Sequence, residues 1–186
     1  MELPDLEPTL GAVIETDRGS LPFSLIHGES LIACAAWALG DAGVQLVDFA
    51  TSWAALSEAD EPLVLHDVLC PMTPAWFIAT AAAQSASSGS VVVGVRPVTD
   101  TVKSLSEGMV GQTIDRDGLW QVTSPLVLPP EVVEAIGEGL PTTDFAELVG
   151  HLSFAGFTVE TVEAPPEGRR VATPDDVRLL EALTAG

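Results

Sequence analysis

With 186 residues the chain can bury a sizeable core, and a single domain spanning 1–186 is the natural expectation. Hydrophobic residues make up 47% of it, which excludes a disordered protein, and 7 basic against 27 acidic side chains give a formal charge of −20. A field of that sign repels nucleic acid and anionic membrane, so neither is expected as a partner, and solubility accounts for the acidity.

Taken in order, the opening MELPDLEPTL holds two prolines and three acids and reads as a loose arm; it has neither the basic nor the apolar region of a signal peptide. Gly11 to Glu15 is an apolar run suited to a buried strand, followed by a turn-like loop, Thr16 to Ser20. Helix signals begin near Glu29 and run to Leu39, with Gly40 as the expected stop. Val44 to Asp48 reads as a second strand, and Thr51 to Ala59 as a short helix opened by Thr51 or Ser52. Leu63-Val64-Leu65 is a strand ending at His66-Asp67. Thr73-Pro74 predicts a helix start with Thr73 as cap, and Ser87-Ser88-Gly89 its end. Val91 to Val95 is the next strand, far too short to span a bilayer.

From Pro97 to Pro125 strand signals follow one another with no helix between them, which predicts an antiparallel arm projecting from the sheet. Pro129-Pro130 then opens a helix to about Glu138. Thr143 or Asp144 caps another through His151, with Asp144 and Glu147 matching a capping box. Phe157 to Val162 alternates like a half-buried strand. Thr173-Pro174-Asp175-Asp176 places a cap, a proline and two acids at the start of the last helix. Strands alternating with helices imply an α/β fold, a mainly parallel sheet covered on both faces.

Ligands of such sheets sit at the carboxyl ends of strands, so Asp67 is a candidate for a divalent metal or a ligand hydroxyl; alternatively it caps its own turn. Arg116, in the turn Asp115-Arg116-Asp117-Gly118, either clamps a phosphate or pairs with Asp115 or Asp117. Arg169-Arg170 is either an anion site or a solvated pair. His27, His66 and His151 have no metal-ligand spacing, no Gly-rich phosphate loop or nucleophile motif occurs, and the four tryptophans read as core or interface. Cys34 and Cys70 fit neither a zinc site nor a disulfide framework, so a reduced, cytoplasmic protein is expected.

LVLHDVLCP (63–71), PVTDTVK (97–103), Asp115-Arg116 with Leu119, Thr143-Asp144 and VATPDDVRLLEALT (171–184) together resemble, in order and spacing, the 2-C-methyl-D-erythritol 4-phosphate cytidylyltransferases of isoprenoid biosynthesis. The resemblance implies a Rossmann-like nucleotidyltransferase fold and a homodimer interlocked through the 97–125 arm. It implies substrate-binding roles for Asp67, Arg116, Ser124, Thr143 and Arg170, with Arg116 reaching the partner subunit's ligand and Asp67 also serving a metal. On the nucleotide side the family pattern is missing. GAVIETDRGSLPF is too short for the family's glycine-rich loop and has Arg18 as its sole cation, the lysine expected after Pro22 is Phe23, and the arginine of the H-D-A-A-R-P loop is Cys70. The expectation is a non-catalytic homologue that keeps the arm and part of the sugar-phosphate site, binds a phosphorylated small molecule and requires no cofactor. The alternative is a working CTP-dependent transferase using Mg²⁺, in which Arg18, Arg96 or a partner chain supplies the lost charge. A heterodimer with a true cytidylyltransferase is a third possibility.

Overall fold

Leu63-Val64-Leu65, Val91-Val92-Val93 and Leu126-Val127-Leu128 are three apolar runs with every side chain buried. A strand covered on both faces must be apolar on both, and these runs lie together at the centre of one sheet. The structure is a computed structural model describing residues 3–48, 50–99, 102–106, 109–116 and 118–185. In chain order its elements are β1 (Leu10–Ile14), a small hairpin of β2 (Leu25–Ile26) and β3 (Glu29–Ser30), α1 (Leu31–Asp41), β4 (Gln45–Leu46), α2 (Trp53–Glu58), β5 (Leu63–Asp67), α3 (Ala75–Ser88) and β6 (Val91–Pro97). Then follow β7 (Val102–Ser106), β8 (Met109–Ile114), β9 (Trp120–Leu128), α4 (Pro130–Ile136), α5 (Phe145–Phe154), β10 (Val159–Glu163) and α6 (Pro174–Thr184).

The main sheet has the order β10-β6-β9-β5-β1-β4. All its pairings are parallel except those of β9, which runs antiparallel between β5 and β6. The period-2 alternation of side chains sorts the core into two layers. Leu63, Leu65, Val91, Val93, Leu126 and Leu128 pack on α2, α4 and α5. Val64, Val92 and Val127 face α1 and α3 on the other side. A third cluster joins α6, through Val177 and Leu180, to Ile26 of β2 and to Val68 and Leu69 just after β5. The expected α/β architecture is therefore present, with helices on both faces.

Between β6 and β9 the register shifts at Val93/Val95. Gly94 sits at that irregularity, and a Cβ there would lie 2.6 Å from the Ser124 carbonyl oxygen, so only glycine lets β9 approach this closely. Of the segment 97–125, β7 and β8 form an antiparallel sheet of their own, while Trp120 onward belongs to the main sheet.

Several element boundaries differ from those read in the sequence. Glu29 pairs with Ile26 in the small hairpin, so α1 starts after Ser30, whose hydroxyl caps it, and runs through Gly40. The strand expected over Val44 to Asp48 shrinks to Gln45–Leu46 at the sheet edge. Thr73 does not cap α3, because its buried hydroxyl donates to the Cys70 carbonyl and the helix starts one residue later, behind Pro74. Asp144 does cap α5, but Glu147 accepts from Thr142 Oγ1 instead of closing a capping box. The box is complete on α6, between Thr173 and Asp176.

Candidate functional site

Asp67 ends β5, in register with Ile14 of β1, and its side chain is buried. Oδ1 accepts from the Leu69 N–H at 3.0 Å and from Arg18 Nε at 3.1 Å. Oδ2 accepts from Arg18 Nη2 at 3.3 Å and Arg170 Nε at 3.0 Å. The turn-capping reading of Asp67 holds through Leu69, and two arginines take up the rest of the carboxylate. Arg18 is delivered by the turn after β1, where Asp17 and Gly19 adopt positive φ. Its guanidinium also donates to the carbonyls of Thr16 at 3.2 Å and Thr143 at 2.7 Å, so four of its five N–H donors are engaged inside the protein. Its side chain is only 7% exposed.

Arg170 reaches Asp67 because its own segment is tied down. The Val171 N–H donates to the Leu69 carbonyl at 2.8 Å, which docks the approach to α6 on the loop after β5. Ser124 lies fully buried behind the site, its Oγ accepting from the Asp67 N–H at 3.1 Å and meeting His66 Nδ1 in a short hydrogen bond. The Ser124 hydroxyl donates to Nδ1 in one imidazole tautomer and accepts from it in the other. Burial pushes the His66 pKa down to about 4, outweighing the opposing attraction of Asp67, so the ring is neutral at physiological pH. The Nε2 atom and the hydroxyl of buried Thr123 lack partners among the described residues.

Above Asp67 lies a cavity of about 280 Å³, walled by Arg18, Arg170, Thr123, Asp144, Trp120 and Phe145, among others. A second cavity of about 400 Å³, which includes Arg96 and Arg169, adjoins it through the shared Gln121 and Arg170. Of the residues singled out in the sequence, Asp67, Ser124, Thr143 and Arg170 converge here. Arg116 does not: it is exposed after β8, donates to the Thr99 carbonyl and lines neither cavity. Asp117, one of its suggested partners, lies outside the described residues, as do Asp100 and Thr101 of the 97–103 motif. Sequence reasoning treated Arg18 only as a remnant nucleotide-loop cation and missed its pairing with Asp67. The available signal was an isolated arginine in a tight turn, at the carboxyl end of the strand beside β5.

The Mg²⁺ of the working-transferase alternative fits poorly to this donor set. A carboxylate offers about four lone-pair positions. All four on Asp67 face N–H donors, and two of the donor groups are cations that would repel a metal ion. No group of three or more His, Cys, Asp or Glu side chains suited to a metal occurs among the described residues.

A sequence profile of the 2-C-methyl-D-erythritol 4-phosphate cytidylyltransferases matches residues 40–185. The chain belongs to this family. Curated family relatives include the enzyme of Parasynechococcus marenigrum, 33% identical over 71% of this chain and 59% of the relative, and that of Frankia casuarinae, 35% identical over 66% and 46%. The chain thus spans little more than half the length of the curated relatives it matches. Among solved structures, the family's Thermus thermophilus cytidylyltransferase superposes with a TM-score of 0.72 at 22% identity, covering 97% of this chain and 100% of that one. The Campylobacter jejuni bifunctional enzyme gives 0.63 at 12%, over 93% of this chain and 54% of that one. These likenesses establish the nucleotidyltransferase fold.

Within that fold, Cys70 stands where the resemblance places an arginine. It is fully buried, and burial pushes its thiol well above the usual range. No helix among the described residues is long and apolar enough to cross a membrane.

Proposed function

We propose that the chain is a non-catalytic member of the cytidylyltransferase family that binds a phosphorylated polyol, of the methylerythritol phosphate type, over Asp67. It assembles as a homodimer through the 97–125 arm. The observation that carries this reading is the commitment of Arg18. Nucleotidyl transfer needs fixed positive charge to hold a triphosphate and neutralise its transition state, and loss of one such donor typically costs on the order of a hundredfold. In the shortened loop after β1 that charge is Arg18 alone, and it is already paired with Asp67 and with the Thr143 carbonyl. A triphosphate would have to compete for it with a buried carboxylate. The polyol side keeps hydrogen-bonding groups in Asp144, Gln121 and Thr123, against the apolar walls of Trp120 and Phe145.

Isothermal titration of the full chain separates this reading from a working transferase. The expected result is a binding heat with 2-C-methyl-D-erythritol 4-phosphate and none with CTP and Mg²⁺. Micromolar CTP binding, or release of pyrophosphate when both compounds are supplied, would overturn it in favour of an enzyme whose Arg18 swings off Asp67.

A further inference from the structure

The two adjoining cavities differ in charge. Over Asp67, Arg18 and Arg170 face Asp67 and Asp144, so the ionised side chains lining that cavity cancel. The neighbouring cavity is lined by Arg96, Arg169 and Arg170, with Gln121 and Thr99 beside them and no carboxylate among its described lining residues. Three of the six arginines of a protein with 27 acids therefore surround one 400 Å³ space. Arg170 shares its charge with Asp67 through Nε, while Arg96 and Arg169 bring two further guanidinium groups to a space whose described lining holds no carboxylate, an arrangement suited to an anion.

The backbone holds the three in place. Arg96 sits in register beside Gln121, and its Nη1 donates to the Ala164 carbonyl at 2.9 Å. Arg169 and Arg170 lie on the segment docked by Val171. Asp176 is close enough for Arg169 to lower its pKa, but its Oδ2 is engaged by the N–H groups of Ala172 and Thr173 and by the Thr173 hydroxyl. Asp176 therefore stays ionised at the start of α6 and offsets part of the Arg169 charge from outside the cavity lining.

We propose that this cavity is a phosphate seat built within one chain. Arg96, Arg169 and Arg170 hold the phosphoryl group of a small phosphate monoester, while the neutral cavity over Asp67 takes its hydroxyl-bearing part. Planar guanidinium forks suit the oxygens of a phosphate. The assignment rests on the binding reading above for the second half of the ligand only, since the seat itself would take inorganic phosphate. It also differs from what the family resemblance implies, because Arg116 of a partner subunit is not needed to hold the phosphate.

The test is titration of the full chain with inorganic phosphate, followed by calorimetry or phosphorus NMR, in the wild type, in Arg96→Gln/Arg169→Gln and in Arg116→Gln. The double substitution is expected to weaken binding at least tenfold and Arg116→Gln less than twofold. Should loss of the Ala164 tether impair folding of the double variant, Arg169→Gln alone keeps that tether and is expected to weaken binding several-fold. Absence of phosphate binding to the wild type, or equal binding by the correctly folded arginine variants, overturns the seat, as does a loss seen only in Arg116→Gln. Parallel titration with methylerythritol phosphate separates the two readings. If it binds no tighter than phosphate, the Asp67 cavity has no ligand role and the seat stands; if it binds tightly and is indifferent to Arg96 and Arg169, the seat fails alone.

Discussion

Asp67 gathers two guanidinium groups and a backbone N–H on one buried carboxylate, and Ser124 supports it from behind. Removing one partner of a buried ion pair costs about 3–5 kcal/mol, because the remaining charge is left desolvated. Asp67→Asn leaves Arg18 in that position, so its melting temperature is expected to fall by roughly 10 °C for a chain of this size. A fall of less than about 2 °C would show that the pair carries no such stability. His66 makes a second, pH-dependent contribution. Its folded pKa, about 4, lies below the 6.5 of a free imidazole, so the unfolded chain binds more protons between those values. The contribution is complete above pH 6.5 and is lost as pH falls toward 4, amounting to on the order of 3 kcal/mol. Acidification also relieves the −20 charge, which acts in the opposite direction, so the quantity to measure is the difference between wild type and His66→Asn. That difference should shrink steadily from pH 7 to pH 5; a constant difference would refute the assignment of a neutral, buried imidazole.

At the scale of elements, the β7–β8 hairpin contrasts with the covered main sheet. An isolated two-stranded hairpin is marginal in water, and this one exposes Met109 and Ile114, 70% and 41% accessible. Such a surface gains apolar burial when a second copy covers it, which is the assembly we propose. Met109→Asp/Ile114→Asp is expected to convert a dimer into a monomer in analytical ultracentrifugation, with the far-ultraviolet spectrum unchanged. A wild type that sediments as a monomer at tens of micromolar would dispose of the arm as a dimer element. The helix starts show how local signals yield to tertiary ones. Thr173 and Asp144 cap as the sequence reads because both sit at exposed ends, whereas Thr73, read by the same rule, is buried and bonds to the Cys70 carbonyl.

Across the whole molecule, the layer architecture was legible because three apolar runs and their flanking helices follow the periods that burial imposes. The strand order was less so, since nothing local says that β9 inserts antiparallel between β5 and β6. The site divided in the same way. Asp67 and Thr143 fall within motifs of fixed spacing, whereas Ser124 and Arg170 stand outside them and are singled out by the family resemblance and, for Arg170, by the scarcity of cations. The pairing of Arg18 with Asp67 joins residues 49 apart in the chain, and the meeting of Arg96 with Arg169 depends on β6 lying near the approach to α6. Cation scarcity was the usable hint, and it gave candidates without giving their partners.

Position 70 bears on how the chain relates to its relatives. The Cys70 N–H donates to the Asp67 carbonyl, the Cys70 carbonyl accepts from Thr73, and the side chain points into packed interior. An arginine placed there would bury an unpaired cation or force that turn to unwind. An arginine at this position is accommodated only if the turn from Asp67 to Thr73 opens to give its long side chain room.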